Sequence, residues 1–305
     1  MGGKIYQVPN VKRNPIKYYK KLKEIVRINE YEIVHINMLS MANVLPILAA
    51  KKAKAKHIIA HSHNTNTPKG ILRKTLDKLN KNMVLKNATD LFACSKLAGN
   101  WMFGEKREVT IINNAIDLNR YIFNNDERDK IRKKLNVENK FVVGHIGRFS
   151  EQKNHKFLID VFKEIALKEK DAILLLIGEG NLKDNIKNKV KEYELNDKVI
   201  FLDIVDNAYD YYQAMDVFVL PSLFEGLPVV GIEAQASGTY CLFSDSITKE
   251  VKIVDDVEFI SIDDKEKWAN EILKCKDKNK RKYSIQNEYN IEYAAKRLEK
   301  IYLEM

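Results

Sequence analysis

The segment AMDVFVLPSLFEGLPVVGIEAQASG, residues 214–238, joins a short apolar run, two prolines, a glycine and a stretch of helical periodicity. Val217 to Leu220 is brief, apolar and rich in β-formers, so it reads as a buried strand. Gly226 lets the backbone turn sharply after it, and the fixed φ of Pro228 suits the first turn of a helix. In an open parallel sheet this order puts a helix N-terminus at the carboxyl end of a strand, where ligands bind. The helix start offers unpaired N–H groups and partial positive charge to a phosphate. A diphosphate would sit against Gly226 and Leu227. Glu225 stands just before the helix and Glu233 about two turns on, a separation on the order of 10 Å at a 1.5 Å rise per residue. Two carboxylates so placed can grip hydroxyls on both sides of a bound phosphate. A bare pair at this spacing is as well explained by a surface Glu and an ordinary helix Glu. The surrounding strand, Gly and Pro tip the reading towards a site.

Working outward, β-rich runs alternate with helical patterns, the mark of βαβ units and parallel sheets. Strands are expected at 31–37, 55–63, 89–95 and 109–114, and again at 140–147, 172–178, 198–202, 217–220, 240–243 and 258–262. Each half therefore reads as its own doubly wound α/β sheet. The polar stretch 115–140 has helical propensity but no strand and reads as a connector. The last segment has Ile291, Ala294, Ala295, Leu298, Ile301 and Tyr302 at helical spacing, so it should dock on another element.

Composition sets the outer bounds. With 305 residues the chain is long enough for two α/β domains, and 45% hydrophobic with 31% charged residues describes a soluble globular protein. No apolar run approaches the roughly 20 residues of a membrane-spanning helix. The opening MGGKIYQVPNVKR lacks the apolar core of a secretory leader, and the three cysteines are scattered, so a reducing cytoplasm fits best. The net charge of +10 is uneven: residues 1–140 carry 28 basic and 12 acidic side chains, whereas residues 141–305 carry 24 and 30. A basic first half attracts phosphates of lipid, acceptor or nucleic acid. With no RNA- or DNA-binding motif, nucleic acid is the weakest of these readings.

Other segments carry chemistry. VVGHIGRFSEQKNHKFLIDVF sets Arg148 and Lys153 in a strand-to-helix loop, where two cations could neutralise the same diphosphate. Taken alone they are ordinary surface charges. Gly144 and Gly147 lack the third glycine of a dinucleotide fingerprint. LLIGEGNLK, with Gly178 and Gly180, reads as a structural turn near the nucleotide. In AHSHNT, His61 and His63 share a strand face, but no third ligand accompanies them, which favours a neutral polar site over a metal. There is no Asp-x-Asp, GxSxG, HExxH, Walker lysine loop or CxxC.

Together IIAHSHNT, ATDLFACSKLAGNWMFG, VTIINNAIDLNRY, VVGHIGRFSEQKNHKFLIDVF, LLLIGEGNLKD and AMDVFVLPSLFEGLPVVGIEAQASG resemble glycosyltransferase family 4, the retaining enzymes of GT-B fold, and more narrowly its bacterial exopolysaccharide and capsule members. The resemblance implies two Rossmann-like domains facing a cleft. It divides the chain into an acceptor-side domain (1–120), a nucleotide-sugar domain (121–287) and a last helix (288–305) crossing back to the first. It implies that Arg148 and Lys153 hold the donor diphosphate, that Gly226 and Leu227 touch phosphate and sugar, that Glu233 binds the ribose hydroxyls and that Glu225 contacts the transferred sugar. The cleft histidine corresponds to His63, with His61 as the competing alignment. No metal or other cofactor is required in that scheme.

The sequence departs from the family pattern in two ways. FLD, with Asp203, stands where FLG is usual, and Thr239-Tyr240 replaces a small-Pro turn. GGKIYQVPN opens the chain, whereas in relatives such a strand lies further in, so one or two βα units of the acceptor side are expected to be absent. The implied function is transfer of a hexose from a UDP-sugar to a lipid-linked saccharide at the cytoplasmic membrane face, with peripheral contact between the basic half and anionic lipid. The alternatives are a donor-binding remnant without transfer activity and a GT-B nucleotide-sugar epimerase.

Overall fold

The computed structural model describes residues 3–66, 70–277, 281 and 287–305. The chain divides into two compact units, one of residues 1–113 with 295–305 and the other of residues 114–294.

In the first unit the elements follow as α1 (Pro15–Ile28), β1 (Ile33–Met38), α2 (Leu45–Lys52), β2 (His57–Ser62), α3 (Ile71–Asn87), β3 (Asp90–Ala93), α4 (Lys96–Phe103) and β4 (Thr110–Ile111). The strands form one parallel sheet in the order β1-β2-β3-β4. Period-2 alternation along β2 separates two cores. Ile58 and Ala60 face Val44, Ile47, Val84, Met102 and Phe103 from α2, α3, α4 and their approaches. Ile59 faces the other way, with Phe92 and Ile112, and is covered by Leu298, Ile301, Tyr302 and Met305 of the last helical segment. Gly3 to Asn10 form neither helix nor strand.

The second unit continues as α5 (Asn125–Lys134), β5 (Phe141–Ile146), α6 (His155–Lys168), β6 (Ala172–Ile177), α7 (Lys183–Glu192), β7 (Val199–Leu202), α8 (Ala208–Ala214), β8 (Val217–Leu220), α9 (Val229–Ala236), β9 (Tyr240–Ser244), β10 (Val257–Ile260), α10 (Lys265–Lys274) and α11 (Ile291–Leu303), whose last residues belong to the first unit. The sheet order is β10-β9-β8-β5-β6-β7 and every pairing is parallel. Counted from β5, this is the doubly wound order 3-2-1-4-5-6, whose direction reverses between β5 and β8. In doubly wound sheets ligands bind at the carboxyl ends of the strands that flank this reversal.

The polar stretch expected as a connector is instead built into this unit, which begins at Asn114. Asn124 caps α5, accepting from the N–H groups of Asp126 and Glu127. Arg128 and Arg132 of α5 both reach Asp216, at 2.5 and 3.3 Å, and Asp216 accepts the N–H of Val142 at 2.7 Å. One carboxylate thus ties α5 to the start of β5 and to the residue before β8. The local sequence reads as polar because these largely buried arginines find their partner only across a long separation.

Candidate functional site

The switch point between β5 and β8 collects the loops that follow them. After β5 the chain runs through Gly147, Arg148 and Phe149 into a turn at Glu151–Lys153. After β8 it runs through Pro221 and Ser222 to Gly226. The two loops are fastened together: Leu223 N donates to Gln152 O at 2.8 Å, and Gln152 Nε2 donates to Phe224 O at 2.9 Å and to Glu225 Oε2 at 3.2 Å. Lys153 Nζ lies 2.7 Å from Glu225 Oε1. Both side chains are largely buried, 15% and 11% exposed, so this is an ion pair shielded from water. Lys153 is therefore not a solvated surface charge. Arg148 in the same loop is exposed.

Gly178 and Gly180, in the loop after β6, have φ of 144° and 156°, and a Cβ there would lie 2.2 Å from Gly147 O and 2.4 Å from Phe149 O. Only glycine permits this close approach, which braces the loop of Arg148 from behind. Next to it, Lys183 is a buried cation bonded to Gly178 O at 3.0 Å, to Leu202 O and to Asp203, so the Asp in FLD anchors that lysine.

Pro228 is the cap of α9, with φ −72° and ψ 111°, so the helix begins one residue later than the sequence indicates, at Val229. Its extended ψ keeps it outside the first turn, although its carbonyl accepts from Gly231 N at 3.0 Å. Gly226 and Leu227 are buried immediately before the cap, and Asn114 Nδ2 donates to Leu227 O at 2.9 Å. Glu233, in the second turn, accepts one hydrogen bond on each oxygen, from Tyr121 at 2.7 Å and from Tyr212 at 2.8 Å. Burial first, and then the charge of Glu233, push both phenols well above their usual pKa. They keep their protons and act as donors. Asn114, Tyr121 and Tyr212 had no local signature; only the fold brings them to this loop and helix.

Beneath the loop after β5, His145 and His155 are fully buried with ring centroids 4.6 Å apart. His145 Nδ1 bonds Val219 O at 2.8 Å, and His155 stacks on Phe149 at 4.1 Å. Desolvation pushes His145 down to about 4 and His155 to about 2, so both are neutral near pH 7.

In the first unit, His61 and His63 stand at the carboxyl end of β2 with ring centroids 4.0 Å apart. His63 Nε2 lies 2.9 Å from Asn37 Oδ1. His61 is buried, its Nδ1 lies 2.8 Å from His35 Nε2, and desolvation pushes its pKa down to about 3. His35 and Asn37, on the neighbouring strand, were not singled out by sequence. Among the described residues no group of three or more His, Cys, Asp or Glu is placed to hold a metal ion.

Two parallel α/β units, the second doubly wound with its charged loops at the switch point, have the architecture of the GT-B fold. The HepE protein of Anabaena (Alr3699), solved in complex with UDP-glucose, matches 99% of this chain and 86% of its own with a TM-score of 0.83 at 17% identity, a likeness of fold. Residues 127–296 match the family described as Glycosyl transferases group 1, and the chain belongs to that family. It is 33% identical over 262 residues, 82% of this chain and 67% of the relative, to the putative glycosyltransferase EpsF of Bacillus subtilis (strain 168). It is 25% identical over 310 residues, 95% of this chain and 79% of the relative, to the UDP-Gal:alpha-D-GlcNAc-diphosphoundecaprenol alpha-1,3-galactosyltransferase of Escherichia coli.

Proposed function

We propose that this is a retaining, family 4 hexosyltransferase that moves a sugar from a UDP-sugar to a lipid-linked saccharide in exopolysaccharide or capsule synthesis. The observation that carries the reading is the shielded Lys153–Glu225 pair at the β5/β8 switch point, beside the start of α9. In this reading Arg148, Lys153 and the helix start meet the diphosphate, with Gly226 and Leu227 against phosphate and sugar. Glu233, oriented by hydrogen bonds from two phenols, accepts from the ribose hydroxyls. Glu225, paired with Lys153, contacts the transferred sugar where positive charge develops at the anomeric carbon. The bond from that carbon to the diphosphate oxygen breaks, and the acceptor hydroxyl forms its bond on the same face, giving its proton to the departing diphosphate oxygen. The cations stabilise the leaving group, and His63 lies on the acceptor side. No metal ion is needed to offset the diphosphate charge.

The lipid-linked acceptor is supported by the Escherichia coli relative, whose name gives a diphosphoundecaprenol-linked sugar as its acceptor. Among the described residues no helix is long and apolar enough to cross a membrane. Contact with the inner face of the plasma membrane is proposed through the first unit. There, Pro15, Ile16, Tyr19, Leu45 and Leu48 line an apolar groove of about 570 Å³ rimmed by Lys51 and Lys52.

The experiment is UDP binding together with transfer from UDP-sugars. Glu233→Ala should weaken UDP binding, whereas Glu225→Ala should mainly lower transfer. Unchanged values for both would sink the assignment. Interconversion of UDP-sugars without any acceptor would make the chain an epimerase, and tight UDP binding with no turnover a donor-binding remnant.

A further inference from the structure

The face of the first sheet that bears Ile33 and Ile59 is apolar at its base and polar at its carboxyl end. β1 and β2 pair with Ile33 beside His57 and Asn37 beside His61. Residues two apart share a face, so Ile33, His35 and Asn37 of one strand lie on the same side as Ile59 and His61 of the other. Phe92 and Ile112 complete the base, and α11 covers it. From that helix the Tyr302 hydroxyl reaches His35 Nδ1 at 2.5 Å, and His35 Nε2 reaches His61 Nδ1 at 2.8 Å. Three side chains from three elements thus form one continuous hydrogen-bonded line. At its far end, His61 Nε2 is buried and makes no hydrogen bond.

The line has two possible directions, since each imidazole nitrogen donates or accepts according to its tautomer. Burial raises the pKa of the Tyr302 phenol, so it keeps a proton that it can direct to His35 Nδ1. Desolvation lowers the pKa of His35 and of His61, so both rings are neutral and each carries one N–H. With Nδ1 accepting, His35 carries its proton on Nε2 and donates it to His61 Nδ1. The His61 proton is therefore on Nε2, the nitrogen that has no acceptor. A buried donor without a partner is costly, and such groups are explained where another molecule supplies the missing atom.

We propose that Tyr302, acting through His35, is a positioning residue that holds His61 as its Nε2–H tautomer, a hydrogen-bond donor for an oxygen of the accepting saccharide beneath the His63 ring. The inference rests on the reading of this strand end as the acceptor side. It makes His61 and His63 partners in one site, not competing alignments, and it gives the last helix a part in that site.

The tautomer is read directly from the imidazole 15N shifts of the labelled full chain. The expected result is protonated Nε2 and unprotonated Nδ1 for His61, moving to a mixture of both forms in Tyr302→Phe, which keeps the ring and its packing. His35→Gln breaks the line from within and should have the same effect. In both variants kcat/KM for a lipid-linked saccharide acceptor should fall about tenfold, the scale of one hydrogen bond, with UDP affinity unchanged. A His61 tautomer that is the same in wild type and both variants overturns the proposal, as does a changed tautomer with unchanged transfer. Unchanged transfer in His63→Ala would instead overturn the acceptor-side reading itself, independently of the shifts.

Discussion

Replacing Lys153 with Met keeps the length of the side chain and removes its charge, leaving the Glu225 carboxylate 11% exposed beside an apolar neighbour. Breaking a buried pair from one side costs ~3–5 kcal/mol, because the remaining charge has lost water and partner together. Gln152 still donates to Glu225 Oε2 at 3.2 Å, which places the cost near the lower end, about 3 kcal/mol. For a unit of 150–250 residues, each kcal/mol shifts Tm by ~2–4 °C, so the transition should fall by about 6–12 °C. Glu225→Gln in the same chain removes the stranded charge while keeping an acceptor for Gln152. The double variant should then recover at least half of the loss, a coupling of ~1.5 kcal/mol or more. Thermal unfolding of wild type, both single variants and the double variant closes the cycle. A fall below about 2 °C for Lys153→Met, or strict additivity in the double variant, would refute the claim that these side chains form a desolvated pair.

Tyr121→Phe removes one of the two phenols that donate to Glu233, and UDP affinity by calorimetry should weaken about 10-fold or more, the lower end for a hydrogen bond to a charged group at ~1.5 kcal/mol; an unchanged Kd detaches Tyr121 from the nucleotide. Transfer assayed in excess EDTA should match transfer in added Mg²⁺, and loss of activity with the chelator would show that the cations do not suffice. Acid should destabilise the second unit in a defined window. His145 and His155 have folded pKa values near 4 and 2, below the unfolded value of about 6.5, so the unfolded chain takes up their protons first. Their contribution is complete above pH 6.5 and is lost as pH falls towards 4, at about 1.4 kcal/mol per pH unit for each histidine. In urea titrations His155→Phe, which keeps the stack on Phe149, should reduce that slope by one histidine; an identical slope would count against the assignment.

Much of the architecture was written locally. VFVL ends at Pro221 and the next helix starts after Pro228, so strand, loop and helix could be read from one short segment. β5 and β6 announced themselves as apolar runs that each end at a glycine. What local signals could not supply was the sheet order, and with it the side-chain partnerships. Lys153 and Glu225 meet only because β8 pairs with β5, which no residue near either position encodes. Tyr121 sat in a stretch whose polarity suggested a linker, since Arg128 and Arg132 find their shared partner 88 and 84 positions away. The Tyr302–His35 bond spans 267 positions and was invisible for the same reason.

The grip of Asp216 on α5 also bears on how halves of such chains can be exchanged. A graft beginning at Phe141, the first residue of the sheet, would leave Asp216 with the Val142 N–H but without Arg128 or Arg132. A graft beginning at residue 127, where the family match starts, would keep both arginines yet discard Asn124, which caps their helix, and Tyr121, which holds Glu233. The natural seam is between residues 113 and 114, upstream of every one of these contacts. Chimeras joined there carry their charge clamp with them, whereas those joined at the first strand start life with a half-buried acid and neither arginine to answer it.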